Sequence, residues 1–258
     1  SGAYNLFSWF SKNKALELGE RTQAVLNAPD FQSMKNLSAE SLLSASISLR
    51  HPYRPNIDGE LIPKNLTQLL DEGSFNNVDL MIGNNKNEDY MYVDESVTES
   101  DINRLIESYY PEHQDKLLSL LDLEDPRLAM DHLTTNQVTL CPSVFIARSL
   151  AKNGNNVYQY HFTRMREGSE KILSYHGAEI PYVFNTHDEW LPTNEVDQQL
   201  TEAMMEYWVE FATKGTPNSI NNPTWKEFGM EENYLILDAE LENSSKLEND
   251  FCEIKNNL

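Results

Sequence analysis

One histidine in this sequence lies where an imidazole could act as a catalytic base. His176 opens the short apolar segment 176–184 directly after a polar loop, so its ring can face a cleft while the following residues anchor it. An imidazole takes up and returns protons near neutral pH, as general acid–base catalysis requires. A lone histidine before an apolar segment is more often a hydrogen-bonded structural residue, and its position alone leaves both interpretations open.

A carboxylate that could orient this imidazole comes earlier in the chain. Residues 78–83 have the pattern of a buried strand, and the polar loop 84–90, which contains Glu88, follows them. Loops at the carboxyl ends of strands carry the chemistry of doubly wound sheets. In α/β-hydrolases the triad runs Ser, acid, His along the chain, and Glu88 precedes His176 in that order. Taken alone, Glu88 could equally be a solvated loop acid.

Other chemistries fit the sequence poorly. Glu179 and His187 lie near His176, but their spacing is not the His-Glu-x-x-His of zinc enzymes, so we expect no metal site. Ser174 is too close to His176 along the backbone to be its nucleophile. The sequence also contains neither a Gly-x-Ser-x-Gly elbow nor a His-Gly-Gly-type oxyanion loop. It therefore offers an acid and a base without a serine nucleophile motif.

The elements around these residues indicate an α/β fold. Helical spacing predicts helices over 15–26, 38–46 and 65–72, three helical pieces between 99 and 133, a helix that begins at Cys141–Pro142, and a long amphipathic helix over 196–212. Strands are predicted at 78–83, 157–162 and 234–237. The charged tail 241–258 receives no predicted element. Strands that alternate with helices are typical of an α/β architecture.

Composition limits the partners. The chain has 258 residues, of which 40% are hydrophobic, enough to fill a sizeable core. Its 41 acidic and 20 basic residues give a net charge of -21, which argues against binding to a nucleic-acid backbone. No apolar run approaches the length of a membrane span. We expect neither a nucleic-acid partner nor a membrane span.

Several segments resemble one family over nearly the whole chain. Residues 83–89, His176–Gly177, the Pro-bracketed Asp58–Gly59 turn and the series from Trp208 to Trp225 are similar to motifs of the type B carboxylesterases, the cholinesterase and lipase family. The resemblance implies the carboxyl-terminal half of an α/β-hydrolase, with later strands of the central sheet and covering helices. It also implies that Glu88 and His176 belong to a Ser-Glu-His triad that hydrolyses a small-molecule carboxylic ester without a cofactor.

The chain departs from the family pattern at two local positions. Asp89 stands where the family commonly has glycine, and a second carboxylate beside the acid raises the question of which one orients the imidazole. Asn136 stands where many relatives have aspartate, which implies a changed environment around the site.

The larger departure is the missing nucleophile. In the family, the nucleophile elbow and the oxyanion loop lie upstream of the Ser-Gly pair that Ser1–Gly2 resembles. We therefore expect residues 1–258 to be a partial hydrolase domain, inactive alone, whose partner is the amino-terminal half of the same hydrolase. The sequence opens without an initiator methionine or a signal peptide, which fits a removed start or a piece of a longer chain. The alternative is a non-catalytic cholinesterase-like binding or adhesion domain.

The cysteines and the sequons indicate the compartment. Cys141, before a proline, and Cys252, between Phe and Glu in the tail, resemble a cysteine pair of secreted family members, which implies a disulfide and an oxidising compartment. The alternative is two buried thiols in a cytosolic esterase. Candidate glycosylation sites at Asn36, Asn65 and Asn243 agree with a secreted or extracytoplasmic protein, although such motifs also arise by chance in Asn-rich sequence.

Overall fold

The structure is a computed structural model that describes residues 9–50 and 54–256. The described residues form two compact units, which divide between Ser74 and Phe75. Ser1–Gly2, which resembles the family's Ser-Gly pair, lies outside the described residues.

The first unit is mainly helical. Its elements are β1 (Phe10–Ser11), α1 (Lys12–Val25), α2 (Phe31–Lys35), α3 (Ala39–Leu49), β2 (Asn56–Ile57) and α4 (Leu66–Asp71), and β1 pairs with β2 in parallel. The predicted helices correspond to α1, α3 and α4, and Ser38 and Asn65 cap α3 and α4 by accepting hydrogen bonds from backbone amides. The single-turn helix α2 was not predicted from the sequence. Gly59 has a φ of 85°, as the Asp-Gly turn requires.

The second unit is built on a mixed sheet. Its strands β3 (Leu80–Asn85), β4 (Val157–Phe162), β5 (Asn233–Leu237) and β6 (Glu242–Ser245) are ordered as numbered, with β3, β4 and β5 parallel and β6 antiparallel. The prediction of β4 is confirmed at both ends, and β5 is one residue longer than predicted. The strand predicted over 78–83 corresponds to β3. The prediction that it ends at Gly83 is wrong, because Asn84 and Asn85 continue the pairing with β4.

Helices cover both faces of this sheet. They are α5 (Glu99–Tyr109), α6 (Gln114–Ser119), α7 (Pro126–Thr135), α8 (Cys141–Lys152), α9 (Ile180–Phe184), α10 (Glu195–Lys214) and α11 (Asn249–Asn256). Tyr234 and Ile236 of β5 pack into one apolar cluster with α5 to α8 and α11. Leu235 and Leu237 alternate with them and pack into a second cluster with α9 and α10. The sheet between two helical layers confirms the α/β fold class.

The prediction that a helix begins at Cys141 is confirmed by α8, and the structure adds two features that were not predicted. Helix α7 continues through a π turn at Asn136–Leu140 directly into α8. Pro142 has no N–H to donate to the preceding turn, and the wider turn accommodates this loss. The charged tail also folds, as β6 and α11, and it buries Phe251, Cys252 and Ile254.

Gly83 lies where β3 and β4 leave no room for a side chain. It pairs with Tyr160, and a Cβ atom added at position 83 would lie 2.4 Å from both Cγ and the carbonyl oxygen of Tyr160. Such distances are far below van der Waals contact, so a side chain at this position would push the strands apart. The register of β3, and hence the start of the loop that follows it, depends on this glycine.

The buried carboxylate of Asp197 joins α9 to α10. It accepts hydrogen bonds from Nε of Arg164 at 2.8 Å, from the hydroxyl of Tyr182 at 2.7 Å and from the backbone N–H of Asn194 at 3.0 Å. Burial alone would raise the pKa of this carboxyl group, but these hydrogen bonds and the Arg164 charge outweigh it and hold the pKa of Asp197 below its usual range. The segment after His176 is thereby fastened to the longest helix.

The D197N variant should lower the free energy of unfolding by about 3 kcal/mol at neutral pH, because it leaves Arg164 with a neutral partner. Since the pKa of Asp197 is depressed in the folded state, its stabilisation is present above the unfolded pKa of about 3.9 and is lost as the pH falls through the folded value. Denaturant unfolding at a series of pH values should show the two proteins converging below about pH 4. Glu202→Gln, an exposed change on α10, is the control; a pH-independent difference would contradict the prediction.

Cys141 and Cys252 form a disulfide that ties the start of α8 to α11, across 111 residues of sequence. Both cysteines are buried. The pairing implied by the family resemblance is thus present in the structure.

Replacing both cysteines by alanine should lower the free energy of unfolding by about 4 to 5 kcal/mol, the chain-entropy estimate for a loop of this length. Urea unfolding of the variant, and of the wild-type protein with and without a reductant, measures the difference. If the reduced and oxidised wild-type proteins unfold at the same urea concentration, the disulfide does not stabilise the tail.

Candidate active site

Glu88 and His176 meet at the carboxyl end of the sheet. Nδ1 of His176 lies 2.6 Å from Oε2 of Glu88, across 88 residues of sequence. Because a carboxylate only accepts hydrogen bonds, His176 donates through Nδ1, and in the neutral imidazole this leaves the lone pair on Nε2. The side chain of Glu88 is 1% exposed and that of His176 is 45% exposed. This is the geometry of a base whose tautomer is set by a buried carboxylate.

The backbone at the end of β3 fixes the second oxygen of Glu88. The N–H of Asn85 donates to Oε1 of Glu88 at 2.7 Å. The loop after β3 therefore turns back, so that Glu88 accepts a hydrogen bond from the last residue of the strand. Both carboxylate oxygens are occupied, which restricts rotation of the side chain.

Asn87 connects two loops. One carries Glu88 (residues 86–89, the acid loop), and the other carries His176 (residues 174–180, the histidine loop). Its backbone N–H donates to the carbonyl of Ser174 at 3.1 Å, and its Oδ1 accepts from the N–H of Ser174 at 3.4 Å. Ser174 stands two residues before His176 and is completely buried, and its Oγ donates to the carbonyl of Phe162 at 2.9 Å. The acid and the base are thus held on backbones that bond to each other.

Asn85 makes a second connection, between the end of β3 and the histidine loop. Its Nδ2 donates to the carbonyl of Tyr175 at 2.7 Å and to Oε2 of Glu179 at 2.6 Å. Gly177 follows His176 with a φ of 88°, a backbone conformation that favours glycine. The loop turns sharply there, so Glu179 reaches back towards the end of β3.

Asp131 of α7 supports the acid loop from the other side. This completely buried carboxylate accepts from Nδ2 of Asn87 at 2.8 Å, from the N–H of Asp89 at 3.0 Å and from Oγ1 of Thr135 at 3.0 Å. Burial raises the pKa of Asp131 by more than these hydrogen bonds lower it. Sequence reasoning gave no role to this residue, to Asn85 or to Asn87, and it considered Glu179 only as a metal ligand.

The structure places Glu88, and not Asp89, against Nδ1 of His176. The side chain of Asp89 instead lines a cavity of about 670 Å³ beside the two residues. Burial raises the pKa of Asp89, a hydrogen bond with Thr134 opposes the rise, and the charge of Glu88 adds to it. The wall of the cavity is formed by Glu88, Asp89, Tyr92, Val93, Asp94, Val97, Met130, Thr134, Thr139 and His176.

The other candidate polar residues have separate partners. Nε2 of His187 bonds to Oγ1 of Thr201, and Nδ2 of the buried Asn136 donates to the carbonyl of His132. In the described ranges 9–50 and 54–256, no group of three or more His, Cys, Asp or Glu side chains is arranged to hold a metal ion. Within the same ranges, no helix is long and apolar enough to cross a membrane.

The sequons differ in accessibility. Asn36 and Asn65 are exposed. Asn243 is half-buried in β6, where its Nδ2 donates to the carbonyl of Thr224 at 2.8 Å. Glycosylation stays a prediction at all three.

A mainly parallel sheet between helical layers, with an acid and a histidine at its carboxyl end, defines an α/β-hydrolase-type fold. The structure is similar to a solved PNB esterase, with a TM-score of 0.78 at 20% identity, covering 96% of this chain and 55% of that one. It is also similar to the carboxylesterase EST55 of Geobacillus stearothermophilus, with a TM-score of 0.80 at 20% identity, covering 95% of this chain and 55% of that one. These likenesses support the fold.

The carboxylesterase family model matches residues 8–255, and the chain belongs to that family. Carboxylesterase 1D of Mus musculus is 26% identical over 76% of this chain and 40% of its own length. Neuroligin-3 of Mus musculus is 29% identical over 75% of this chain and 28% of its own length. The chain therefore spans less than half the length of these curated relatives.

Replacing Asn85 by alanine should loosen the histidine loop, because it removes the hydrogen bonds to Tyr175 and Glu179. Loss of the two bonds, worth about 1.5 kcal/mol together, should speed amide exchange of residues 174–180 by roughly tenfold. Hydrogen–deuterium exchange mass spectrometry measures this rate. Asn13→Ala, an exposed change on α1, is the control; equal exchange in both variants would show that Asn85 does not hold the loop.

Proposed function

We propose that this chain supplies the acid and the histidine of a carboxylic ester hydrolase that uses a Ser-Glu-His triad. The observation that supports this role is the 2.6 Å hydrogen bond between the buried Glu88 and the half-exposed His176. The bond lies beside an open cavity, in a chain of the carboxylesterase family.

The proposed mechanism uses only side chains, backbone amides and water. Nε2 of His176 takes the proton of a serine hydroxyl as its oxygen attacks the ester carbonyl, and Glu88 stabilises the imidazolium through Nδ1–H. The protonated histidine then gives its proton to the departing alcohol. Water repeats the sequence on the acyl-enzyme and releases the acid.

The serine and the oxyanion donors would come from the amino-terminal half of the same hydrolase. This proposal is supported by the absence of a nucleophile elbow from the sequence and by the share of the curated relatives that the chain covers. Within the described residues, β3 forms an edge of the sheet, so another strand could pair with its outer side before Asn85, whose N–H is bonded to Glu88. A parallel strand added there would end next to Glu88.

The substrate would be a small-molecule ester with an apolar group. Val93, Val97 and Met130 supply apolar surface to the cavity, whereas Asp89 and Asp94 supply carboxyl groups. Apolar surface with a few polar groups is typical of a small-molecule site.

A secreted or extracytoplasmic location completes the proposal. The Cys141–Cys252 disulfide supports an oxidising compartment, and the exposed sequons at Asn36 and Asn65 are compatible with it.

A non-catalytic binding or adhesion domain is the alternative function. Similarity to Neuroligin-3, at 29% identity, is no lower than similarity to carboxylesterase 1D, at 26%. Sequence identity therefore does not separate the two functions. The intact Glu88 and His176 pair favours the hydrolase.

The natural protein that carries this chain should react with a fluorophosphonate probe, which modifies activated serines. The H176A variant should lose this labelling, since the base is gone. The Glu88→Gln variant should lower kcat by about 10³- to 10⁴-fold, because the amide no longer fixes the tautomer. In-gel fluorescence and hydrolysis of a p-nitrophenyl ester measure the two effects.

His113→Ala and Glu189→Gln are the matched controls. Neither residue lies at the site: His113 is partly exposed before α6, and Glu189 is exposed in the loop before α10. If the wild-type protein does not label, or if H176A labels as strongly, the hydrolase proposal is wrong and the binding-domain alternative stands.

A further inference from the structure

The segment 87–93 carries the proposed acid and part of the cavity wall, and helix α7 holds it at two points. Arg127 and Asp131 lie four residues apart on α7, so their side chains project from the same face. Each makes its hydrogen bonds to a different part of this segment. The inference below rests on the proposed function.

Asp131 binds both neighbours of Glu88. Its two oxygens accept from the side chain of Asn87 and from the backbone of Asp89. The amide of Asn87 is thereby oriented so that its Oδ1 accepts from the N–H of Ser174. One buried carboxylate therefore orders the residues on either side of the acid and, through Asn87, the segment that leads into His176.

Asp131 has its bonding partners in this segment and in its own helix. No Lys, Arg or His side chain in the described ranges lies within 4.0 Å to form an ion pair with it. A completely buried carboxylate costs free energy unless hydrogen bonds compensate for its lost hydration. An apolar residue would serve a helix–loop contact without that cost. The arrangement is therefore better explained by orientation of the loop than by packing.

Arg127 binds the part of the segment that lines the cavity. Its Nη2 donates to the carbonyl of Tyr90 at 3.2 Å and its Nε to the carbonyl of Val93 at 3.3 Å. The guanidinium group also lies over the ring of Tyr90, 4.3 Å from the centroid. These contacts enclose the short helical turn whose residue Tyr92, together with Val93, faces the cavity.

We propose that Asp131 is a positioning residue for Glu88 and His176, and that Arg127 is a positioning residue for the substrate-facing wall. Asp131 acts on the orientation of the dyad and so on the chemical step. Arg127 acts on the shape of the cavity and so on substrate binding. The two residues of one helix face thus control different kinetic constants.

The D131N variant separates orientation from stability. The new side chain has the same shape, but it places an NH2 group opposite Nδ2 of Asn87, so that two donors face each other. The amide of Asn87 would have to flip, and its Oδ1 would then no longer accept from the N–H of Ser174. Displacement of the dyad should lower kcat for ester hydrolysis on the order of 10²-fold in the natural protein that carries this chain. In a Glu88→Gln background the same change should have little further effect, because Asp131 acts on the orientation of the Glu88–His176 pair, which Glu88→Gln already disrupts. An equal loss in both backgrounds would overturn this role.

Two further measurements keep the role of Asp131 testable. If D131N does not fold, Asn87→Ala removes the hydrogen bond between Asn87 and Asp131 and leaves Asp131 unchanged. Its effect on kcat is then compared with and without Glu88→Gln in the same way. If the wild-type protein proves inactive, the proposed function fails, and proton NMR still tests the inference. The low-field signal of Nδ1–H of His176, assigned by its loss in Glu88→Gln, should shift in D131N; an unchanged signal would overturn the inference.

The R127M variant tests the wall. The KM of bulky esters should rise by more than their kcat falls, and R127M should lower activity by the same factor with and without Glu88→Gln. Arg104→Met is the matched control, since Arg104 is 74% exposed on α5 and pairs only with Asp101 of its own helix among the described residues. A loss confined to kcat, or changes equal to those of Arg104→Met, would overturn the role of Arg127.

Discussion

The close approach of β3 and β4 at Gly83 is the constraint on which the site depends. With no side chain between them, the two strands keep a parallel register in which Asn85 lies opposite Phe162. The loops that leave these strands carry Glu88 and His176, so their separation is set by the strand register. A 2.6 Å hydrogen bond tolerates little variation in that separation. The precision of the site thus begins within the sheet, several residues away from the chemistry.

From the strand ends outwards, the site is built of buried polar groups. Asn85, Asn87, Asp131 and Glu179 are almost inaccessible to solvent, and each bonds to the acid loop, the histidine loop or both. Such groups stabilise one arrangement of the chain far more than its alternatives, because a displaced partner is left without a hydrogen bond. An apolar contact would allow the loops to slide. The polar network therefore gives the site its geometry, while the two apolar clusters supply most of the folding free energy.

The sequence predicted the parts of the fold in which local pattern and tertiary environment agree. β4 alternates in a way that identifies it, and α10 has a regular apolar stripe with Gly215 at its end. The end of β3 was missed because asparagine is depleted in strands. Both Asn84 and Asn85 pair with β4, and Asn85 also bonds to Glu88, Tyr175 and Glu179. The tail was missed because its charges obscured the spacing of Phe251 and Ile254. Family resemblance identified Glu88 and His176, whereas Asp131 looked like any acid on an amphipathic helix.

The π turn at Asn136–Leu140 has a consequence for how the chain length can vary. It sets the rotational phase between α7, which faces the acid loop, and α8, which the disulfide fixes at Cys141. Each residue in an α-helix advances the helix by about 100°. A π turn holds one residue more than an α-helical turn, so a single deletion within Asn136–Leu140 would restore regular helix and leave Arg127 and Asp131 in phase with α8. A deletion elsewhere in α7 or α8 has no such extra residue to remove, and it would turn one half of the helix by about 100° against the other.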